Sequence, residues 1–186
     1  MRVISGTYRG CVLKGPKHEG LRPTADRVKE ALFNIIGAKI HDSDFLDLFA
    51  GTGSIGIEAL SRGARSAIFA DNNHLSIKLL HENLKIIKSG ESIRVLQSDA
   101  AKALNILAGE QLFFDLIFLD PPFESELFSI IPSMIVQLKL LKKDGYLIIE
   151  HPSRLAVTVP ELEVIKDRKY GDISLTFFQY ANTDKL

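Results

Sequence analysis

The sequence predicts an α/β fold of the Rossmann-like kind. Its doubly wound, mostly parallel seven-stranded sheet would carry an antiparallel C-terminal strand pair and a small N-terminal β-hairpin. Three observations predict it. From residue 44, short apolar runs alternate with stretches of helical periodicity, the mark of right-handed βαβ units. The first run leads into a glycine-rich turn that opens a helix. After Pro160 the pattern changes to ELEVIKDRKY and ISLTFFQYA, split by GD, which reads as an antiparallel pair at the sheet edge.

Residues 2–14 read as a hairpin turning between Gly6 and Gly10, and a glycine-bearing loop follows at 15–23. RPTADRVKEALFNII reads as a helix: Thr24 is the candidate N-cap after Pro23, and Val28, Leu32, Ile35 and Ile36 share one face. The strand candidates are DFLDLF (44–49), SAIFA (66–70), SIRVL (92–96), FFDLIFL (113–119) and YLIIE (146–150). Helical patterns fill 54–62, 74–88, 99–108 and 125–142 between them. The last is expected to end at Lys142, Lys143 and Gly145, with Pro132 as a possible kink.

A length of 186 residues suits one domain with a sizeable core. Hydrophobic residues make up 46% and charged residues 25%, ordinary values for a globular protein. No apolar run reaches the roughly 18 residues of a membrane span, and MRVISGTYRG lacks the apolar core of a secretory signal. The single cysteine, Cys11, excludes a disulfide framework within the chain. A cytoplasmic location is expected. Net charge is zero, yet the first 30 residues hold seven Lys/Arg against three acids. That local excess suits phosphate contact, and equally a solvated surface.

In DLFAGTGSIGIEAL, Gly51, Gly53 and Gly56 complete G-x-G-x-x-G between strand and helix. Such a turn lets the backbone approach a ligand and offers helix N–H groups to it. Asp71, at the end of the next strand, can accept from ribose hydroxyls. So far NAD and S-adenosylmethionine fit alike. Asp47 favours S-adenosylmethionine, because a carboxylate there suits an ammonium group and gives nothing to a pyrophosphate. Asp99, in QSDAA, reads either as an acceptor for an adenine amino group or as a helix cap.

FFDLIFL is apolar almost throughout, as a strand buried on both faces should be. In a sheet ordered 3-2-1-4-5 it neighbours the first strand, and the crevice between the two is the switch point where ligands bind. The stretch that follows, Asp120-Pro121-Pro122-Phe123, therefore sits beside the glycine loop. The prolines leave the carbonyls before them free, Asp120 adds a carboxylate acceptor, and Phe123 offers a stacking face. Together they suit an exocyclic amine held with its lone pair aimed at a sulfonium methyl. Glu150–His151 closes the fifth strand, where it could border the site, and is read in preference as structural; the other histidines show no metal-ligand spacing and read as surface or packing residues.

DPPF is similar to the [DN]PP[FYW] motif of methyltransferases acting on exocyclic amines. RVISGTYRG, LRPTADRVKEALFN and LDLFAGTGSIGIEALSRGA resemble the RsmD-like bacterial enzymes that methylate guanine N2 in 16S ribosomal RNA, from residue 2 to about 180. The resemblance implies a single methyltransferase domain over 1–186, with 1–22 as an RNA-contacting appendage and 23–186 as the catalytic core. It implies that Asp47 with Gly51, Gly53 and Gly56 binds the methionine moiety of S-adenosylmethionine, Asp71 the ribose, and Asp99 with Ala100 the adenine. Asp120, Pro121, Pro122 and Phe123 would grip a flipped guanine, the family's target being guanine 966 of that RNA. Arg2, Arg9 and Lys14 would contact the RNA backbone, while Arg22 and Thr24 would close over the cofactor or the target nucleotide. One departure is visible, Asp71 where glutamate is common. The implied partner is 16S rRNA in the small ribosomal subunit, with no membrane and no metal, and the enzyme is expected to be a monomer. Three rivals stay open on the residues alone: an NAD-dependent oxidoreductase, a methyltransferase acting on adenine N6 or on protein, and a non-catalytic RNA-binding module.

Overall fold

The computed structural model describes residues 1–15, 23–87, 92–122 and 126–181, with the side chains of 23–25 outside that description. Along the chain run α1 (Pro23–Ile36), β1 (Asp44–Leu48), α2 (Ser54–Ser61), β2 (Ser66–Asp71), α3 (His74–Leu84), β3 (Ser92–Gln97) and α4 (Ala100–Gly109). Then follow β4 (Phe114–Leu119), α5 (Leu127–Gln137), β5 (Leu141–Pro152), β6 (Leu162–Tyr170) and β7 (Ile173–Tyr180). The strands form one seven-stranded sheet in the order β3-β2-β1-β4-β5-β7-β6. The first five are parallel, and β7 pairs antiparallel with both β5 and β6. The expected order 3-2-1-4-5 and its edge pair are both present.

Strand alternation divides the core in two. Phe45, Phe69, Phe118 and Ile148 meet α1, α2, α3 and the N-terminal segment on one face. Leu46, Ile68, Ile117 and Ile149 meet α4 and α5 on the other. The central strands are apolar on both faces because both are covered by helices.

Three expectations are corrected. The fifth helix ends at Gln137, and Lys142, Lys143 and Gly145 belong to β5. Lys139 takes a left-handed φ of 55° and terminates the helix, so that Leu140 and Leu141 turn back into the core. Gly145 then serves the β4–β5 register shift: a Cβ there would come within 2.9 Å of Lys142 O and 3.0 Å of Asp115 O. The N-terminal hairpin is reduced to a single bridge, Arg2 to Val12. Val3 N, Gly10 N and Leu13 N still bond across the ribbon to Cys11 O, Val3 O and Met1 O, while Ile4, Ser5, Thr7, Tyr8 and Lys14 donate to the body of the protein. Thr24 lies in the first turn of α1, which begins at Pro23, a position whose missing N–H costs a helix nothing.

The N-terminal segment is held by a buried polar hub. Glu58, 0% exposed, accepts from Ile4 N at 2.8 Å, Ser5 N at 3.0 Å and Arg62 Nε at 2.7 Å. Lys29 Nζ stands 3.4 Å from the same carboxylate and donates to Arg2 O and Ser54 Oγ. Burial pulls the Lys29 ammonium below its usual range, against the opposing pull of Glu58. Replacing Glu58 by alanine strands that cation and two backbone donors. Chemical denaturation should show the variant less stable by about 3–5 kcal/mol, and an unchanged midpoint would refute the hub.

Candidate functional site

The site lies at the carboxyl edge of the sheet, where β1 and β4 are neighbours and the chain leaves them in opposite directions. After β1, Phe49 (φ 63°), Gly51 (φ 55°) and Gly53 (φ 80°) all take left-handed conformations. A non-glycine residue there carries strain, and strained backbone gathers at functional turns. The glycines differ in purpose. Gly51 is open to the crevice, whereas a Cβ on Gly56 would lie 2.3 Å from the buried ring of Phe69. Gly56 therefore permits α2 to pack on β2, while Gly51 and Gly53 shape the turn.

Two carboxylates hold this loop. Asp71 Oδ2 accepts from Gly51 N at 2.7 Å, and its Oδ1 accepts from Asn73 N at 2.7 Å. Asp47 Oδ2 accepts from Gly56 N at 2.9 Å. With 1% exposure, Asp47 lies beneath the loop, and its contact is with backbone. Asp99 caps α4 through Lys102 N at 2.9 Å, the capping alternative of the sequence. Carboxylate oxygens have lone pairs to spare, so neither Asp71 nor Asp99 is saturated by these bonds. Between them opens a cavity of about 120 Å³, walled by Phe49, Ala70, Ala100, Leu127 and Ile131. An apolar slot ending in two acids suits a nucleoside.

Four carboxylates share one face of the sheet. Asp47, Asp71, Asp120 and Glu150 stand two residues beyond Phe45, Phe69, Phe118 and Ile148, which all point into the same core layer. They come from β1, β2, the end of β4 and the end of β5. Burial, and then the charges of Asp120 and Asp71, push the Asp47 carboxyl up to about 7 against the Gly56 N–H. Desolvation in the recess raises Asp120 to about 6, although its side chain opens to solvent. Burial and the Asp120 charge take Glu150 to about 8. Acids that resist ionisation in one recess would be relieved by a bound cation.

Several expected residues are placed elsewhere or differently. Pro121 is buried and Pro122 exposed at the same edge, whereas Phe123 and Arg22 lie outside the described residues, as does the side chain of Thr24. Arg2 and Arg9 share a cleft of about 290 Å³ with Arg27, Asp26 and Glu30. Lys14 is not in that cleft; its Nζ pairs with Glu82 at 2.8 Å. His151 is structural, as read, with Nε2 at 2.7 Å from Thr176 Oγ1. The residues that sequence reasoning passed over are Phe49, Lys29 and Asn83, while Glu150 is read there as structural in preference to bordering the site. Asn83 donates to Thr52 O in the glycine loop and exchanges hydrogen bonds with the Lys14 backbone. Only Glu150 carried a legible signal, its place two residues past Ile148 at a strand end.

A family model described as "Conserved hypothetical protein 95" matches residues 1–179. The chain belongs to this RsmD-like family. It is 36% identical over 181 residues to the ribosomal RNA small subunit methyltransferase D of Haemophilus influenzae, covering 96% of this chain and 93% of that one. The solved structure of yhhF from Escherichia coli superposes with a TM-score of 0.84 and 32% identity, over 97% of each chain. The chain SMU.776, solved with S-adenosylhomocysteine, has a TM-score of 0.66 at 14% identity and so shares the fold alone. The fold is thus the Rossmann-like fold of S-adenosylmethionine-dependent methyltransferases. A cofactor with sulfonium and ammonium groups, such as S-adenosylmethionine, would suit this cluster of carboxyls.

The raised carboxyls set a pH dependence. Without cofactor, Asp47 holds a proton between its ordinary value of 3.8 and about 7, so its contribution to stability falls as pH rises through that window. A bound cation favours the ionised form and expels the proton. Calorimetry near pH 6.5 in buffers of different ionisation enthalpy should therefore register proton release on S-adenosylmethionine binding. Asp47→Asn keeps an acceptor for Gly56 N. It should raise the melting temperature of the cofactor-free protein at pH 7 while weakening cofactor binding; tighter binding would contradict the electrostatic account.

Proposed function

We propose that this protein transfers a methyl group from S-adenosylmethionine to the exocyclic N2 amine of a guanine in 16S ribosomal RNA, with the base flipped into the Asp120–Phe123 site. The observation that carries the reading is Asp120 at the β1–β4 crevice. It projects from the edge that holds the glycine loop and has no hydrogen-bond partner among the described residues. The relatives' names support ribosomal RNA as substrate. The choice of guanine N2 comes from the resemblance of the RPTADRVKEALFN and DPPF stretches to guanine-N2 methyltransferases.

S-adenosylmethionine supplies an electrophilic methyl on a positively charged sulfur. An aromatic amine is a weak nucleophile because its lone pair is delocalised into the ring. Asp120 and the carbonyls preceding Pro121 and Pro122 accept its two N–H bonds, which localises the pair and aims it along the line of transfer. As the N–C bond forms, the S–C electron pair returns to sulfur and the nitrogen becomes cationic. Asp120, ionised in neutral solution, is placed to relay the departing proton to water. The exposed arginines Arg2, Arg9 and Arg27 contact phosphates, where their charge raises the affinity for RNA of any sequence. The reaction is placed in the cytoplasm, and no described helix is long and apolar enough to cross a membrane.

The test uses labelled S-adenosylmethionine and small ribosomal subunits lacking the modification, followed by digestion and nucleoside separation. Label should appear in N2-methylguanosine. Asp120→Ala should lower transfer by about 10²-fold or more while leaving cofactor affinity nearly unchanged. Asp120→Asn, which keeps an acceptor oxygen, should recover much of the loss. Label in N6-methyladenosine, or full activity in the alanine variant, would overturn the assignment.

A further inference from the structure

Glu150 is a carboxyl that the proposed chemistry leaves without a task. The β4–β5 register pairs Leu119 with Ile149, so the next residues outward, Asp120 and Glu150, stand side by side. Both project to the face of Phe118 and Ile148, at the edge where the target base would lie. Glu150 is half-buried at the end of an otherwise apolar run, Leu147-Ile148-Ile149, and its β7 partner is Leu175. Among the described residues its carboxyl has no hydrogen-bond partner. A desolvated polar group left unpaired in this way costs stability unless a ligand completes it.

The charged groups around it are few. Across the same face come Asp120, Asp47 and Asp71 from the neighbouring strand ends. From α1 the nearest buried charge is Lys29, already committed to Glu58, Arg2 O and Ser54 Oγ, while Asp26, Arg27 and Glu30 line the outer cleft. From α2, Glu58 and Arg62 satisfy each other. On the opposite face His151 bonds Thr176, which donates to Asp167 of β6. No described cation is therefore paired with Glu150, and burial with the Asp120 charge pushes its carboxyl up to about 8. In neutral solution it carries its proton.

We propose that Glu150 reads the lactam edge of the target guanine as a neutral carboxylic acid, donating its O–H to O6 and accepting N1–H on its carbonyl oxygen. The inference rests on the guanine-N2 reading above and adds the residue that recognises the base. Neighbouring strands run about 4.8 Å apart. That spacing is comparable with the reach from N2 to O6 across guanine's edge, so Asp120 takes the amine while Glu150 takes the lactam. An adenine presents a bare N1 acceptor beside its amine and satisfies only half of this acid.

The experiment compares wild type, E150A and E150Q on unmodified small subunits, with cofactor affinity measured for each as a check of folding. E150A should lose about 10²-fold in kcat/KM, the size of two lost hydrogen bonds. Glutamine reproduces the donor–acceptor pair of the neutral acid, so E150Q should restore most of that loss. Wild-type activity should fall above about pH 8 as Glu150 ionises, and E150Q should abolish that fall. Subunits reconstituted with 2-aminopurine at the target keep the amine but lack O6 and N1–H. Wild type should reject them by about 10²-fold, and E150A should no longer discriminate. Full activity in E150A, failure of E150Q to rescue, or undiminished discrimination in E150A would each overturn the proposal. Absence of N2-methylguanosine with the wild-type enzyme would instead bring down the guanine reading and this inference with it.

Discussion

The carboxylate of Glu58 is the point on which the arrangement of this protein turns. It lies inside the helix that follows the glycine loop, and it binds backbone donors at residues 4 and 5 while facing the ammonium of Lys29 on α1. Three segments distant in sequence are thereby locked in one place. A buried ion pair seldom adds net stability over an apolar substitute, because desolvation offsets most of its Coulombic gain. Its effect here is on position. An apolar residue would satisfy neither the two N–H groups nor the cation, so only one docking of the N-terminal segment is polar-complete. Gly6 reinforces that choice, since a Cβ there would overlap Ser61 O at 1.7 Å.

The docked segment touches the cofactor loop as well as the helices. Asn83 bridges the Lys14 backbone to Thr52 O, and Lys29 bridges Arg2 O to Ser54 Oγ. The N-terminal segment and the glycine loop are thus joined through two buried side chains. A shift of one is felt by the other because packed, hydrogen-bonded interiors transmit strain. For an enzyme that must align a bound base with a methyl donor, such rigidity limits the error between the two sites.

The crevice itself is governed by acids that resist ionisation. Four carboxylates arise from four strands at one edge, and parallel strands present their ends together only because every crossover runs on the helical layers. Asp47 and Asp71 hold the loop by its backbone, and in doing so they keep acidic groups beside it. Asp120 and Glu150 continue that row toward the base. Burial first, and repulsion second, raises the affinity of Asp47 and Glu150 for protons, and both effects would be eased by a bound cation. Folding stability and ligand affinity are in this sense opposed at the crevice.

Most of the fold was legible because it rests on local periodicity. Alternation of short apolar strands with helical stretches, the G-x-G-x-x-G turn and the change of pattern after Pro160 are nearest-neighbour properties, and they led to the observed sheet order. Errors came where a local signal had a non-local cause. Lys142, Lys143 and Gly145 resemble a helix terminus, yet Gly145 answers a close approach of Asp115 from another strand. The hairpin keeps a few bonds across its ribbon, but Ile4, Ser5, Tyr8 and Lys14 donate instead to Glu58, Ser61 and Asn83, partners more than 50 residues away. By itself the sequence determined the fold class, the ligand-binding loop and the DPPF motif. Only the tertiary structure decided that Asp47 lies under the loop, that Lys14 leaves the cationic cleft and that Glu150 stands beside Asp120. Burial, strand register and the desolvation of charge depend on which segments meet in space, and periodicity along a chain carries no record of that.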